Sequence, residues 1–247
     1  MAQSAAGAIL CVMFDDSITS LDIASLSFFV CAWVLFSQAT SGRMVTRPSL
    51  TSLMNEQREE WLRTMTRREL RMIDTGIMMG LQQGTAFFAS SALFALGGCF
   101  ALLQASDAVM SALSDLPWTA APVRAVYELK VLGLMVILAY TFFKFGWAYR
   151  LFNYCSILIG AVPMAKDVTD SETMRPGLER AARMNIIAGR HFNAGLRGLF
   201  FSIGYLGWFV GPVVLVATTL FILVVLVRRQ FFSDARAALL SLRGART

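Results

Sequence analysis

The stretch GLFFSIGYLGWFVGPVVLVATTLFILVVLV, residues 198–227, decides the fold because thirty consecutive residues carry no charge. A single upright helix needs only about 20 apolar residues to cross the hydrocarbon core of a bilayer. The stretch is therefore too long for one crossing and short for two. The pair Gly211-Pro212 lies near its middle. Since glycine followed by proline is a strong turn signal, we expect the chain to turn there.

The composition of the whole chain agrees with a membrane protein. Hydrophobic residues make up 56% of the 247 residues and charged residues only 15%, against about 25% in soluble domains. The charges lie in blocks separated by apolar stretches, as in chains that alternate between lipid and water. The sequence predicts an all-α fold, a polytopic transmembrane helical bundle that forms a single membrane domain over residues 1–247.

The distribution of basic residues distinguishes four spans from five. The segments 42–84 and 149–197 each carry seven Lys or Arg, the tail after residue 227 carries five, and the segment 104–125 carries one. Basic residues collect on the inner side of a membrane, and only five spans bring all the basic blocks to that side. We therefore prefer five spans, with four as the alternative. The predicted spans are about 18–37, 80–103, 126–147, 194–210 and 212–228, with the N-terminus outside and the basic loops and C-terminus inside.

Two charged segments, about 50–75 and 167–192, are predicted to form amphipathic helices on the inner face. In the first, Met54, Trp61, Met65 and Met72 recur at spacings of seven, four and seven, which places them on one helical face. That face would lie on lipid headgroups or dock a partner subunit. Residues 5–14 are apolar and are interpreted as an interfacial or partner-contacting arm.

Two sets of glycines at helical spacing are predicted to be helix-packing positions, because small residues let another backbone approach closely. The first set is Gly76, Gly80 and Gly84, for which packing within the chain's own bundle is favoured over packing on another protein. The second and weaker set is Gly204, Gly207 and Gly211.

Nothing in the sequence has the pattern of a catalytic or metal site. The chain has one histidine, and its four cysteines include no CxxC pair, so a zinc site is not indicated. We expect no enzymatic activity, no catalytic residue, no metal and no cofactor, but a bound phospholipid. The net charge of +6 is explained by arginines beside apolar spans, so the expected partners are membrane lipids and other membrane subunits, with no nucleic acid.

A lipid or quinone headgroup is expected at the inner face, near the aromatic-rich segment that begins at Lys144. Residues 151–162 within it are too few to span and are interpreted as a re-entrant or surface helix that stops at Pro163. The candidate headgroup contacts are Arg150, Asn153, Tyr154, His191, Asn193 and Arg197.

Several motifs over nearly the whole chain resemble one known family. The shorter ones are Arg58..Trp61, Arg71-Met-Ile-Asp74, Glu128-Leu-Lys130 and Gly207-Trp-Phe209. The most specific ones are Asn153-Tyr-Cys-Ser, which follows Phe143-Lys144-Phe145..Trp147..Arg150, and His191-Phe-Asn-x-Gly-Leu-Arg197. With these motifs the chain resembles bacterial membrane proteins catalogued as domain of unknown function 599. It departs from them at Arg228-Arg-Gln-Phe231, where Gln replaces a Glu and removes a potential ion pair.

The resemblance implies a membrane protein and assigns no activity. From the residues we expect a non-catalytic accessory or structural subunit of a larger inner-membrane complex, respiratory or photosynthetic. The alternatives are a small transporter or channel that acts as an oligomer, and a lipid- or quinone-binding membrane enzyme. Apolar residues at the predicted midplanes argue against a polar path through one chain. The expected location is a bacterial inner membrane or an organellar inner membrane of bacterial descent.

Overall fold

A computed structural model describes residues 18–40, 47–114, 123–164 and 174–244. These residues form helices and no strand, which confirms the all-α prediction. Residues 5–14 and the start of the predicted inner helix 167–192 lie outside the described residues. In chain order the helices are α1 (Ser20–Thr40), α2 (Leu50–Met65), α3 (Met72–Gln104), α4 (Ser106–Ser114), α5 (Arg124–Ala161), α6 (Arg175–Tyr205), α7 (Gly207–Val210), α8 (Pro212–Phe231) and α9 (Asp234–Gly244).

Four helical segments are long and apolar enough to cross a membrane. Within the described residues they are Ser20–Thr40, Met72–Gln104, Arg124–Ala161 and Pro212–Ser241, and their length and apolar composition indicate a membrane protein. The predicted fourth span, residues 194–210, is not a separate helix, because it comprises the second half of α6 and the short turn α7. No proline lies between Pro176 and Pro212. The helix therefore continues through the boundary that we predicted near residue 193.

The five long helices pack in a simple order: α3 on α5, α5 on α6, and α8 on both α6 and α1. α5 and α6 are antiparallel over the length of the bundle, and glycines bring their backbones together. A Cβ built on Gly195 would lie 2.7 Å from the Phe145 ring, and one on Gly198 would collide with the Thr141 hydroxyl. α6 therefore accompanies the four apolar helices from one end of the bundle to the other.

One end of the bundle is fixed by a tryptophan, and we call it the Trp208 end. The Trp208 indole N–H donates to the buried carboxylate of Asp22 at 2.7 Å, which joins α7 to the first turn of α1. Lys130 Nζ donates to the Trp208 carbonyl at 2.8 Å, which joins α5 to the same point. Close to this end, Phe29, Trp33, Phe201 and other apolar side chains form the larger of two hydrophobic cores.

The opposite end collects arginines from distant parts of the sequence, and we call it the basic end. Arg71 Nη1 donates to the carbonyls of Ile159 and Val162, and its Nη2 donates to that of Pro163. Arg71 thereby satisfies carbonyls that the C-terminus of α5 leaves free. The Arg236 Nε donates to the Pro48 carbonyl at 2.9 Å. These contacts bring the predicted basic loops and the tail to one end of the molecule.

The structure corrects two local predictions at the basic end. Residues 151–162 are not a separate re-entrant helix, since α5 continues through them to Ala161. The predicted inner helix 50–75 is two helices, because the chain turns after Met65 and α3 begins at Met72. The turn lets Trp61 and Arg68 meet the carboxylate of Asp74, with N–O distances of 2.7 and 2.5 Å.

Candidate functional site: an arginine cleft at the basic end

A cleft of about 190 Å³ opens at the basic end, where α2 crosses the ends of α1 and α8 and the middle of α6. We call it the arginine cleft. Its lining residues are Phe36, Thr40, Leu50, Thr51, Met54, Asn55, Arg58, Asn193, Leu196, Arg197, Phe200, Leu226, Arg229 and Gln230. Among the described residues, this lining contains three arginines and no carboxylate. The arrangement favours an anion.

The position of α2 over the cleft follows from its sequence. Ser49 caps the helix, and its hydroxyl accepts from the Ser52 N–H at 3.2 Å. The apolar face buries Leu53, Leu62 and Met65 against the bundle, while the polar face stays exposed. A contact between the Gln230 amide and the Thr51 hydroxyl, 2.7 Å long, joins α2 to the end of α8. α2 is therefore held at the rim of the cleft by both apolar packing and polar contacts.

Arg58 enters the cleft from α2 through a gap that a glycine provides. Its guanidinium lies where a Cβ on Gly189 would stand, so any larger residue at position 189 would displace it. Its Nη1 donates to the carbonyl of Asn185 with a long N–O distance of 3.4 Å. Burial lowers the pKa of Arg58 from its ordinary value, with the Cys155 thiol opposing that shift, but an arginine remains charged at neutral pH.

Arg197 and Arg229 contribute two further charges from α6 and α8. The Nε of Arg197 is buried and makes no hydrogen bond within the described part of the chain. Arg229 lies over the ring of Phe200, with 5.9 Å from its Cζ to the ring centroid. Neither arginine forms an ion pair with a carboxylate of the described residues. Among the described residues, no carboxylate therefore neutralises the positive charge of Arg197 and Arg229.

The predicted headgroup residues fall into two groups. Asn193 and Arg197 line the cleft, whereas Arg150, Asn153, Tyr154 and His191 do not. The Arg150 Nε donates to the Tyr154 hydroxyl at 2.6 Å, a contact between successive turns of α5. The structure therefore brings two of the six predicted contacts together, in a site that α2 completes.

His191 lies on another side of α6, with its ring centroid 6.5 Å from that of Trp147. Its Nδ1 is buried and makes no hydrogen bond to any described residue. Burial lowers the pKa of His191, and the nearby Lys144 lowers it further. The neutral imidazole is thus favoured at neutral pH. Within the described ranges no group of three or more His, Cys, Asp or Glu side chains is placed to hold a metal ion.

Sequence reasoning missed Arg58, Asn55 and Arg229 as members of the cleft. Their segments are more than a hundred residues apart, so no local pattern joins α2 to α8. A signal does exist on α6, where Asn185, Gly189, Asn193 and Arg197 follow each other at intervals of four. That spacing places a stripe of polar and small residues on one helical face, although most of the helix packs with apolar neighbours.

The residues predicted to share a partner-facing surface do not share one. Met65 is fully buried and Met72 belongs to α3, where it is exposed. Met54 is exposed at the rim of the cleft, and Trp61 is half-buried with its N–H bound to Asp74. The seven-residue spacing failed here because the chain turns between Met65 and Met72.

The two predicted glycine sets behave differently. A Cβ on Gly204 would lie 3.5 Å from Ile222, and one on Gly207 would lie 2.9 Å from the Val214 carbonyl, so these glycines pack against α8. Gly211 instead lies at the open turn before α8. Gly76, Gly80 and Gly84 have no other part of the described chain within 4 Å of a built Cβ. Within the described residues, this first set therefore has no packing partner in the chain's own bundle.

Comparison with known proteins gives one match. The family model described as "Protein of unknown function, DUF599" matches residues 24–235, which is most of the chain. No curated protein matches the sequence, and no solved structure matches the fold.

Proposed function

Because this chain belongs to the family of proteins of unknown function DUF599, whose description assigns no activity, we propose its function from the geometry: it is a non-catalytic accessory subunit of a larger membrane complex. We place it in a bacterial inner membrane or an organellar inner membrane of bacterial descent, with the basic end inside.

The observation that carries this proposal is the outer face of α3. This helix packs mainly against α5, and five of its glycines have open space where a Cβ would stand. They are Gly76, Gly80, Gly84, Gly97 and Gly98. Glycine is unfavourable in a helix by about 1 kcal/mol relative to Ala, so five glycines that face no other described part of the chain are costly for the isolated subunit. A helix of another subunit packed closely along this face would account for them.

The buried polar groups of the described chain support a structural rather than a catalytic role. Asp74 binds Trp61 and Arg68, Asp22 binds Trp208, and Arg71 caps α5. These contacts hold helices to one another and leave no carboxylate facing the arginine cleft. General acid–base chemistry needs a proton-transferring group in the site, and arginines do not supply one at neutral pH.

The proposal is tested by gentle extraction from the native membrane, native gel electrophoresis and mass spectrometry of the band that contains this chain. We expect a large band with other membrane subunits. Migration of the chain alone, as a monomer or small homo-oligomer, would contradict the accessory role. A homo-oligomer would favour the alternative function, a small transporter or channel that acts as an oligomer. Flux assays in liposomes would then test that function.

A pair of matched variants locates the contact. Gly80→Leu places a large side chain on the open face of α3, where no other part of the described chain lies within 4 Å of the new Cβ. We expect loss of the chain from the large band while its own thermal stability is kept. Gly146→Leu makes the same substitution on α5, again with no neighbour within 4 Å, and should leave the large band intact. Equal behaviour of the two variants would show that the α3 face is not the contact.

A further inference from the structure

We infer that the arginine cleft binds a phosphate group, supplied by the headgroup of an anionic membrane lipid. The inference is independent of the accessory role, since it concerns α1, α2, α6 and α8 and not the outer face of α3. It rests on the charge of the cleft, on the polar atoms left without partners in it, and on its position where apolar helices meet the basic end.

The charge of the cleft calls for an anion. Arg58, Arg197 and Arg229 line one small volume, and none of the described residues that line it carries a carboxylate. Arg58 and Arg197 are only partly accessible, and the removal of a cation from water is costly unless an opposite charge compensates it. A phosphate group meets this need well, because guanidinium donors match its oxygens in planar and often bidentate contacts.

The cleft is also incomplete as a hydrogen-bonding site. The Nε donor of Arg197 and the Oδ1 acceptor of Asn55 are both buried without a hydrogen-bond partner in the described part of the chain. Buried polar atoms are almost always paired, so each implies a group that completes it. An anionic oxygen would satisfy Arg197, and a headgroup hydroxyl would satisfy Asn55. Phosphatidylglycerol carries both groups.

The space beside Arg58 is built rather than accidental. Gly189 leaves room for the guanidinium, and the Asn185 carbonyl holds its Nη1 from one side. The remaining guanidinium donors have no hydrogen bond to any described residue. The side chain is thus positioned with donor capacity left over, which is the arrangement expected of a ligand-binding arginine.

The position of the cleft selects a lipid as the source of the phosphate. Phe36, Phe200 and Leu226 form an apolar wall at the ends of α1 and α8 and along α6, and the arginines stand beside it. α8 changes at this level from an apolar run to Arg228 and Arg229, which marks the expected boundary between hydrocarbon and headgroups. The volume of about 190 Å³ suits a headgroup, with the acyl chains lying outside along the apolar wall.

The test uses the full chain purified in mild detergent and native mass spectrometry with added lipid. We expect phosphatidylglycerol to stay bound at energies that remove phosphatidylcholine. Equal retention of the two lipids would overturn the inference. In a parallel arm, inorganic phosphate should bind far more weakly than the lipid. If phosphate protected the chain from thermal unfolding as well as the lipid did, the ligand would be a soluble phosphate compound and the lipid source would be wrong.

Neighbouring arginines on α8 provide a matched pair of variants. Arg229 lines the cleft and Arg228 does not, although both are exposed at the end of the same helix. Arg229→Gln should weaken phosphatidylglycerol binding about tenfold, the usual effect of one lost charge-assisted contact. Arg228→Gln should leave it within about twofold. Equal effects would mean a diffuse attraction to positive charge and would refute a defined site.

For variants of Arg58 and Arg197, both lipid binding and thermal stability are measured. Either residue changed to Gln should abolish the thermal stabilisation that phosphatidylglycerol gives, while the lipid-free protein still unfolds cooperatively. If a variant does not fold, Asn55→Ala offers a milder change at the cleft, with weaker retention of phosphatidylglycerol expected and unchanged retention contradicting the inference.

Discussion

Removal of the Asp74 carboxylate should destabilise the basic end more than the loss of any exposed ion pair would. Asp74 is fully buried in the first turn of α3. One of its oxygens, Oδ1, accepts from the Trp61 indole N–H at 2.7 Å and from Arg68 at 2.5 Å. It therefore joins α2, the following turn and α3 in a single contact. The perturbations are Asp74→Asn, which keeps an acceptor for Trp61, and Asp74→Ala, which removes it.

The magnitudes follow from the two hydrogen bonds. Asp74→Asn loses the charge-assisted contact with Arg68, whose side chain is 32% exposed, so part of that contact is screened by water. We expect a loss of about 1–2 kcal/mol in the free energy of unfolding. Asp74→Ala also leaves the Trp61 N–H without its acceptor and Arg68 without its partner. Breaking a buried pair from one side typically costs about 3–5 kcal/mol.

The assay is the free energy of unfolding in bicelles, measured by steric trapping with labels on α2 and α6. The control is Glu59→Gln, which breaks the exposed pair with Arg63 at 4.0 Å, where both side chains are about half exposed or more. That change should cost less than about 0.5 kcal/mol. If Asp74→Ala costs no more than Glu59→Gln, the buried carboxylate does not join the helices and the reasoning is refuted.

Two further predictions concern α6. Gly198→Ala should destabilise the bundle by about 1–3 kcal/mol, because the new Cβ collides with the Thr141 hydroxyl. Adding Thr141→Ala should recover part of that loss in the same unfolding assay. If the costs of the two changes were additive, the close contact would be contradicted. Because its pKa is lowered, His191 binds protons more readily when unfolded, so its stabilising contribution is complete above its ordinary pKa of 6.5 and decreases as pH falls below that value. The melting temperature should therefore fall from pH 7.5 to 5.5 more steeply in the natural protein than in His191→Asn; His191 is the only histidine of the chain, and equal slopes would contradict the lowered pKa.

The sequence predicted the membrane helices because their signals are local. A run of about 20 apolar residues is sufficient to identify a span, and four of the five predicted spans correspond to apolar helices of the structure. The predicted ends were less accurate, as α3 starts at Met72 and not near residue 80. Helix ends depend on contacts such as that of Arg71 with the end of α5, which lies nearly ninety residues away. The two partners are too far apart in the sequence for a local pattern to predict their contact.

The candidate site was only partly predictable for the same reason. Asn193 and Arg197 were identified because they lie in a distinctive motif near the expected boundary of the membrane. Arg58 and Arg229 became visible only when α2 and α8 were placed around α6. Their selection depends on which arginines lack a carboxylate partner. That property belongs to the folded chain and not to the composition, in which 22 basic residues face 16 acidic ones.

Glycines have two different roles in this fold. Gly195 and Gly198 bring α6 against α5, and larger residues there would collide with Phe145 and Thr141. Gly76 and Gly80 lie four residues apart on α3, and no other part of the described chain comes within 4 Å of a Cβ built on either of them. In a membrane, helix association depends on close packing rather than on the hydrophobic effect, so an open glycine face weakens α3 without helping the isolated bundle. Such a face is explained if another helix completes it, and the unpaired arginines of the cleft are explained if a lipid headgroup fills it. The protein then contacts its surroundings in two separate ways, which the α3 and α8 variants distinguish.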